Sequence, residues 1–154
     1  MTTVRLAWAD SADQSLGFPV YASAGAAGAD LRANFAPTER KAGRLLRPGN
    51  VEAVPTGLRM EIPPGFEVQV RPRSGLALRA GVTLTNTPGT IDSDYRGEVL
   101  VLLHKVGSGA FRIRHGDRIA QMVVAPVVQV RFEQAEALGA SERGAGGFGS
   151  TGRS

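Results

Sequence analysis

The chain has 154 residues, 42% of them hydrophobic, which suits one domain with a sizeable core. It has no cysteine, which excludes disulfides, thiolate metal sites and cysteine nucleophiles, and only two histidines, which excludes a three-histidine metal site within one chain. The net charge is +4, and sixteen of the eighteen basic residues are arginine. This excess of arginine over lysine suits phosphate recognition, but a high-GC genome would produce the same excess.

The N-terminus contains no pattern that would direct the chain to a membrane or out of the cell. Residues 1–10 have a brief apolar stretch but no cleavage site, and apolar runs such as 99–103 are short. A membrane-spanning helix needs about 20 apolar residues. We therefore expect a cytoplasmic protein without membrane attachment.

Apolar and polar residues alternate in four stretches, which is the pattern of half-buried strands. In chain order the apolar positions are Leu58, Met60 and Ile62; Phe66, Val68 and Val70; Phe111 and Ile113; and Val128, Val130 and Phe132. Turn-forming segments at 48–50, 63–65 and 88–89 recur at the short spacing expected of a sandwich or barrel. The pattern predicts an all-β fold.

Helix signals are few and short. Ser74 can cap a helix over 74–80, with Gly81 as its stop, and 132–138 can form another one or two turns. Neither segment is long enough to build a helical layer, so the all-β prediction stands.

The end of the chain differs in composition from the rest. Residues 139–154 are rich in glycine and small polar side chains, yet they include Arg143 and Phe148. A linker or tag would have a similar composition. We expect a core over residues 1–138 and a flexible arm over 139–154.

Two segments have the residue types of a binding or catalytic site. In 86–99, Asp92 and Asp94 lie in a turn where they can bind a cation or activate water, and Gly89 and Gly97 permit a flat ligand to approach the backbone. A solvated turn is the alternative interpretation. In 71–77 a strand ends and a helix begins, which favours an anion near two arginines and a serine; a capped helix with surface arginines is the alternative.

Five segments together resemble the five motifs of the trimeric dUTPase family, in the family's order. They are 24–31 (AGAAGADL), 71–77 (RPRSGLA), 89–99 (GTIDSDYRGEV), 116–122 (GDRIAQM) and 143–151 (RGAGGFGST). The match covers most of the chain, from residue 24 into the tail. The resemblance implies a jelly-roll-like, distorted β-barrel with one short helix and a flexible C-terminal arm.

The resemblance also implies a reaction. It is the hydrolysis of dUTP to dUMP and pyrophosphate, which limits uracil incorporation into DNA and supplies dUMP for thymidylate synthesis. A water activated by Asp92 would attack the α-phosphorus in line, with Mg²⁺ and arginines spreading the charge. Because magnesium keeps waters and binds substrate phosphates, no direct protein ligand is expected, and Asp30 would act on the metal through water.

The same resemblance implies substrate contacts for the residues that occupy matching positions in the motifs. Tyr95 would pack under the deoxyribose and exclude a 2′-hydroxyl, Asn86 would read the uracil edge, and Phe148 would stack on uracil. The other implied substrate-binding residues are Arg73, Ser74, Gly75, Gly89, Thr90, Ile91, Gln121, Arg143, Gly149, Ser150 and Thr151. Thr90 departs from the family pattern, where a bulkier aliphatic residue is common. Structural roles are implied for Asp94, Arg96 and Arg118.

The resemblance implies a homotrimer with shared active sites. The arm would come from one subunit, the hairpin with Asp92 and Tyr95 from a second, and the wall with Ser74 and Gln121 from a third. A monomer is then expected to be inactive.

Three other functions agree less well with these residues. A dCTP deaminase has a related fold but needs a glutamate where this chain has Leu102. A nucleic-acid-binding β module would suit the arginines, but only 6% of the residues are aromatic, so no stable nucleic acid binding is expected. A catalytically inactive family member would not need Asp30, Asp92 and Tyr95. The basic segment 40–47 matches no motif, and we expect it to be a solvated loop.

Overall fold

The computed structural model describes residues 2–147, and within them nearly all regular structure is β. The strands are β1 Arg5–Trp8, β2 Ala29–Arg32, β3 Arg44–Leu46, β4 Val51–Pro55, β5 Leu58–Glu61, β6 Phe66–Arg71, β7 Val82–Leu84, β8 Gly89–Ile91, β9 Leu100–Lys105, β10 Phe111–Ile113 and β11 Arg118–Pro126. One α-helix, α1 (Ser74–Ala80), and a 3-10 turn at Gln14–Leu16 complete the elements of this part of the chain. The all-β prediction is confirmed.

The strands form antiparallel sheets around one core. The orders are β2-β11-β6-β8, β4-β9-β7, β1-β5 and β10-β3. In the largest sheet β11 lies between β2 and β6, and β8 adds an edge beside β6. This arrangement brings the first, second, third and fourth motif segments onto a single sheet.

Alternating side chains supply the core. Along β5 and β6 the predicted inward positions Leu58, Met60, Val68 and Val70 are buried, as is Ile113 of β10. The largest fully buried side chains elsewhere are Leu31, Phe35, Leu46, Ile62, Leu103 and Ile119. Each such burial contributes about 1.5–3 kcal/mol relative to exposure. None of the helices within residues 2–147 has the length and apolar character to cross a membrane.

The helix at 74–80 is confirmed, but its N-terminal cap is not. Arg73 occupies the cap position with an extended backbone and no side-chain cap hydrogen bond, so Ser74 is the first helical residue. Gly81 ends the helix in the left-handed conformation, with φ of 56°, as glycine readily does.

Two predicted elements near the C-terminus are wrong. Residues 127–138 form neither the strand containing Val128 and Val130 nor the short helix at 132–138. Val128 is 85% exposed and Phe132 is 93% exposed. The ladder stops at Pro126, which has no N–H to donate, and a seven-residue helix is marginal without tertiary packing.

The basic segment 40–47 is not simply a solvated loop. Arg44 makes two hydrogen bonds to Glu39 at 2.9 and 3.0 Å and one to Glu52 at 2.9 Å. Its guanidinium also lies 5.0 Å from the centre of the buried Phe35 ring. The Arg44 hydrogen bonds hold the pKa of the Glu39 carboxyl below its usual value. Arg44 therefore ties β3 and β4 together over the core, whereas Arg47 is exposed as expected.

A second polar network anchors the N-terminal segment. Asp13 accepts hydrogen bonds from the Ser15 hydroxyl at 2.6 Å and the Ser15 N–H at 3.0 Å. His115 Nδ1 accepts from the Phe35 N–H at 3.1 Å, so a neutral ring donates through Nε2 to Asp13 Oδ2, also at 3.1 Å. The Ser15 hydrogen bonds, followed by that of His115, lower the pKa of Asp13 from 3.8 to about 2.

Candidate active site

A row of polar side chains crosses three strands of the largest sheet. Gln121 of β11 lies opposite Asp30 of β2 on one side and opposite Arg71 of β6 on the other. Residues directly opposite each other in antiparallel strands point to the same face. The sheet therefore places the first, second and fourth motif segments beside one another.

Asp30 is held by two arginines at the end of this row. Arg73 Nε lies 2.8 Å from Asp30 Oδ1, and Arg118 Nη1 lies 3.1 Å from Asp30 Oδ2. Arg73 also donates to the Arg118 carbonyl at 3.1 Å. Arg118, to which the sequence assigned a mainly structural role, thus belongs to the same cluster as two predicted site residues. Its pairing with Asp30 depends on strand register, which the sequence does not show.

The cluster opens into a depression of about 280 Å³. Its lining includes five of the predicted site residues, namely Asp30, Arg73, Ser74, Gly75 and Gln121, together with Arg118, and we call the surface formed by these six residues the wall. Gln121 donates to the Pro72 carbonyl at 3.0 Å, and its side chain lies so close to Gly28 that a Cβ there would be 2.6 Å from Oε1. Cationic side chains and the first N–H groups of α1 give the wall the chemistry of an anion site.

The remaining predicted core residues lie on a hairpin, residues 86–97. Gly89 is buried, and a Cβ at that position would lie 2.9 Å from the Asn86 amide nitrogen. Tyr95 folds back over Gly97, and its hydroxyl donates to the Glu98 carbonyl at 3.1 Å. The sequence predicted that Gly89 and Gly97 leave space for a flat ligand. In this conformation the space is taken by the chain's own side chains, Asn86 at Gly89 and Tyr95 at Gly97.

Asp92 is an exposed carboxylate just beyond the end of β8. It lines a second depression, of about 770 Å³, together with Glu67, Thr90 and Asp94. Within residues 2–147 the Asp92 carboxylate makes neither an ion pair nor a hydrogen bond to another side chain or backbone group. Ile91 is buried, so any contact of that residue with a ligand would be through its backbone. The turn is shaped by Arg96, which donates to the Ser93 and Tyr95 carbonyls at 2.7 and 2.8 Å.

The wall and Asp92 lie at opposite ends of β6. The register pairs Val68 with Ile91, so Asp92 lies level with Glu67, whereas the wall begins beyond Arg71. At about 3.3 Å per residue, Glu67 and Arg71 are roughly 13 Å apart along the strand. One chain therefore presents two separated groups of predicted site residues.

The predicted arm residues are described only in part. Arg143 is exposed in a turn, where the Gly146 N–H donates to its carbonyl at 3.0 Å. Phe148, Gly149, Ser150 and Thr151 lie outside the described residues.

Comparison with known proteins identifies the family. The dUTPase family model matches residues 15–152. The chain belongs to the dUTPase family. The deoxyuridine 5'-triphosphate nucleotidohydrolase of Roseobacter denitrificans is similar over nearly its whole length, with 59% identity over 152 residues that cover 99% of this chain and 97% of that protein.

Solved dUTPase structures share the fold. The dUTPase of Staphylococcus bacteriophage 80alpha with dUPNHPP has a TM-score of 0.84 at 22% identity, covering 99% of this chain and 100% of that one. A mutant dUTPase from phage phi11 of S. aureus, described with a structural Mg(II) ion, has a TM-score of 0.72 at 19% identity, covering 88% and 97%. The dUTPase-type fold implied by the motifs is thereby confirmed.

Proposed function

We propose that this dUTPase family member hydrolyses dUTP to dUMP and pyrophosphate at active sites assembled from several copies of the chain. The observation that carries the proposal is the separation of Asp92 from the wall along β6. Each group has one half of the required chemistry, a free carboxylate in one case and an anion-binding surface in the other. In a multimer the carboxylate of one copy can face the wall of another.

Asp92 is the proposed general base. Within residues 2–147 its exposed carboxylate accepts no other hydrogen bond, so its oxygens are available to the attacking water. A base in hydrogen-bond reach of the attacking water contributes roughly 10²–10⁴-fold to a rate. The attack is in line on the α-phosphorus, so that pyrophosphate leaves on the far side.

The wall is the proposed binding surface for the triphosphate. Arg73 and Arg118 present charged N–H groups, and Asp30 fixes how both guanidiniums point. Preorganised donors stabilise charge that develops on transferring phosphoryl groups without reorganising during the reaction. Ser74, Gly75 and Gln121 complete the surface with uncharged donors.

We propose that Mg²⁺ contacts this surface through its water ligands and not through direct protein ligands. Within residues 2–147, no group of three or more histidine or carboxylate side chains is placed to hold a metal directly. The Asp30 oxygens have lone pairs beyond those that face the two arginines, so Asp30 can hold a water of a phosphate-bound ion. The bound ion supplies neutralisation of phosphate charge.

Base and sugar selection are assigned to the hairpin. Asn86 is exposed and its amide lies against Gly89, so donor and acceptor groups of side chain and backbone are side by side for a uracil edge. The hydroxyl of Tyr95 donates to the Glu98 carbonyl, which fixes the ring. The fixed ring is the proposed floor under the deoxyribose and the proposed barrier to a 2′-hydroxyl. Thr90 and the Ile91 backbone lie between these two contacts.

The assembly we propose is a homotrimer that works in the cytoplasm. Residues 127–147 are exposed throughout, including apolar side chains such as Val128, Phe132 and Leu138, which a neighbouring copy would cover. The arm over 139–154 extends from this segment and would close on the nucleotide, with Phe148 on the uracil and Arg143, Gly149, Ser150 and Thr151 on the phosphates. The arm, hairpin and wall of one site then come from three copies.

Pyrophosphate release from dUTP, dCTP, dTTP and UTP, each with and without Mg²⁺, tests the proposal. We expect fast release from dUTP alone and a strong dependence on Mg²⁺. Release from none of the four by a folded sample would refute hydrolysis, and release from UTP at the same rate would refute the role of Tyr95. A mass measurement in solution tests the trimer separately.

A further inference from the structure

Four arginines surround a depression beside the wall, which we call the arginine depression. Arg73 and Arg118 also belong to the wall, and Arg112 and Arg114 of the β10 region lie on the far side. The volume is about 350 Å³, and Asp117 is the one acidic residue among the described residues that line it. The Asp117 carboxylate accepts a hydrogen bond from the Arg114 N–H at 2.8 Å. The arginine depression therefore has a clear excess of positive charge.

The two arginines on the far side have side chains available to a ligand. Ile113, which lies between them, is fully buried, and side chains alternate between the two faces of a strand, so both arginines point outward. Arg112 donates to the Ala42 carbonyl at 2.9 Å, which anchors its guanidinium. The Arg114 side chain has no acceptor within residues 2–147. Each guanidinium has five N–H donors, so both keep donors for a ligand.

Apolar side chains complete the lining of the arginine depression. They are Leu76 of α1, Phe111 of β10 and Ile119 of β11, and the first two are half-buried. Apolar surroundings lower the local dielectric, so a guanidinium beside them attracts an anion more strongly than one surrounded by water. Apart from Asp117, none of the described lining side chains can accept a hydrogen bond. The surface therefore suits a ligand that has acceptors only, such as a polyphosphate.

The proposed hydrolysis produces an anion of this kind next to the arginine depression. The water oxygen bonds to the α-phosphorus, and the bond from this phosphorus to the oxygen that bridges to the β-phosphate breaks. The electron pair of that bond stays on the bridging oxygen, and one water proton passes to Asp92. Pyrophosphate thus leaves with a new anionic oxygen that it did not have within dUTP. Guanidiniums nearby attract it more strongly than they attract the substrate.

We propose that the arginine depression is an exit subsite for pyrophosphate. This inference rests on the proposed function and adds the route by which the second product leaves. Because Arg73 and Arg118 line both the wall and the arginine depression, the anion passes from the wall to Arg112 and Arg114 while still in contact with guanidiniums. The nucleoside of dUMP contacts the hairpin in the proposed function, so the two products leave by different routes.

Calorimetric titration with pyrophosphate tests the subsite without any turnover. The unmodified assembly and the variant Arg112→Gln with Arg114→Gln are each titrated with pyrophosphate in the presence of Mg²⁺. We expect the Kd of pyrophosphate to rise about tenfold or more in the variant, because two charged donors are lost. The Kd of a non-hydrolysable dUTP analogue should stay nearly the same, because its triphosphate lies on the wall.

Two further variants separate the subsite from net charge and from folding. Arg47→Gln with Arg59→Gln, exposed arginines elsewhere, makes the same change in net charge and should leave the Kd of pyrophosphate unchanged. Arg114→Gln alone removes no side-chain hydrogen bond within residues 2–147, so the fold should be preserved. We expect this single variant to weaken pyrophosphate binding as well, with an unchanged melting temperature.

Product inhibition gives a kinetic measure of the same subsite. The inhibition constant of pyrophosphate against dUTP turnover should rise in the Arg112→Gln, Arg114→Gln variant by the factor found in the titration. The KM for dUTP should not change with it. A role in the fold alone would alter both quantities together.

Pyrophosphate binding that does not depend on Arg112 and Arg114 would overturn the exit subsite. An equal loss of affinity for the dUTP analogue would also overturn it, since these arginines would then serve the substrate. So would equally tight binding of inorganic phosphate through the same two residues, which would indicate a general anion surface. dUTP turnover by the unmodified chain is measured separately, so failure of the exit subsite and failure of the proposed hydrolysis are distinguishable.

Discussion

Arg73 Nε lies 2.8 Å from Asp30 Oδ1, and this ion pair joins β2 to the segment that leads into α1. Asp30 also accepts from Arg118 at 3.1 Å through its other oxygen. One carboxylate thus orients two cationic side chains toward the same depression. A carboxylate with both oxygens in use cannot be replaced by a neutral isostere without releasing one arginine.

Asp30→Asn should therefore lower kcat/KM for dUTP by about tenfold or more, equivalent to about 1.4 kcal/mol. An asparagine offers one acceptor oxygen, so Arg73 or Arg118 loses its orientation. Steady-state kinetics at saturating Mg²⁺ measure the effect. Asp10→Asn is the control, since the Asp10 side chain is 94% exposed. Equal activity of the two variants would remove Asp30 from the site.

Asp92→Asn should reduce kcat by roughly 10²–10⁴-fold, because the amide cannot accept a proton from water. Binding of a non-hydrolysable dUTP analogue should persist, since the wall and Tyr95 are unchanged. Calorimetric titration together with kcat separates the two effects. The neighbouring Asp94→Asn, on the same turn, is the matched control. A fully active Asp92 variant would show that the base is elsewhere.

A chain ending at Gly139 should lose roughly a hundredfold in turnover while its melting temperature is preserved. Within residues 2–147 the buried core contains no residue beyond Met122, and residues 140–147 are exposed, so we expect the removed segment to contribute little to stability. Thermal unfolding and dUTP turnover on the same sample measure both quantities. Full activity of the shortened chain would mean that the arm has no role in catalysis.

Arg44→Ala should lower the free energy of unfolding by about 2 kcal/mol. The substitution removes the hydrogen bonds to Glu39 and Glu52 and the contact over Phe35. Arg47→Ala, three residues away and exposed, should change the free energy of unfolding by no more than about 0.5 kcal/mol. Urea unfolding at pH 7 compares the two variants. Similar losses of unfolding free energy would contradict a structural role for Arg44.

Acid should destabilise the protein through Asp13. Its folded pKa of about 2 lies below the usual 3.8, so its contribution is fully present above pH 4 and is lost as pH falls toward 2. Asp13→Asn should flatten the dependence of unfolding free energy on pH in this window. Urea midpoints between pH 5 and pH 2.5 provide the measurement. An unchanged slope in the variant would show that other carboxyls dominate.

Local signals in the sequence predicted a large part of the fold. Alternation located β5, β6 and β10, and Gly81 marked the end of α1. The same alternation at Val128 and Val130 failed because a period of two indicates which side chains share a face, not which surface covers them. In the described chain that face has no partner.

The candidate site was predictable as a set of residue types, not as an arrangement. The motifs named Asp30, Arg73 and Gln121, but only strand register shows that they are neighbours and that Arg118 joins them. The role of Arg44 was equally hidden, because its partner Glu52 and the Phe35 ring come together only through tertiary packing. Contacts between distant residues depend on topology, which a local pattern does not contain.

The separation of Asp92 from Ser74 along β6 has a genetic consequence. If each site takes its base and its wall from different copies, two defective alleles can compensate for each other. A chain lacking Asp92 and a chain lacking Ser74 would each be inactive alone, yet mixed assemblies would contain sites with both residues intact. A cell with one allele of each kind would then retain dUTP hydrolysis, so defects in this gene would show intragenic complementation.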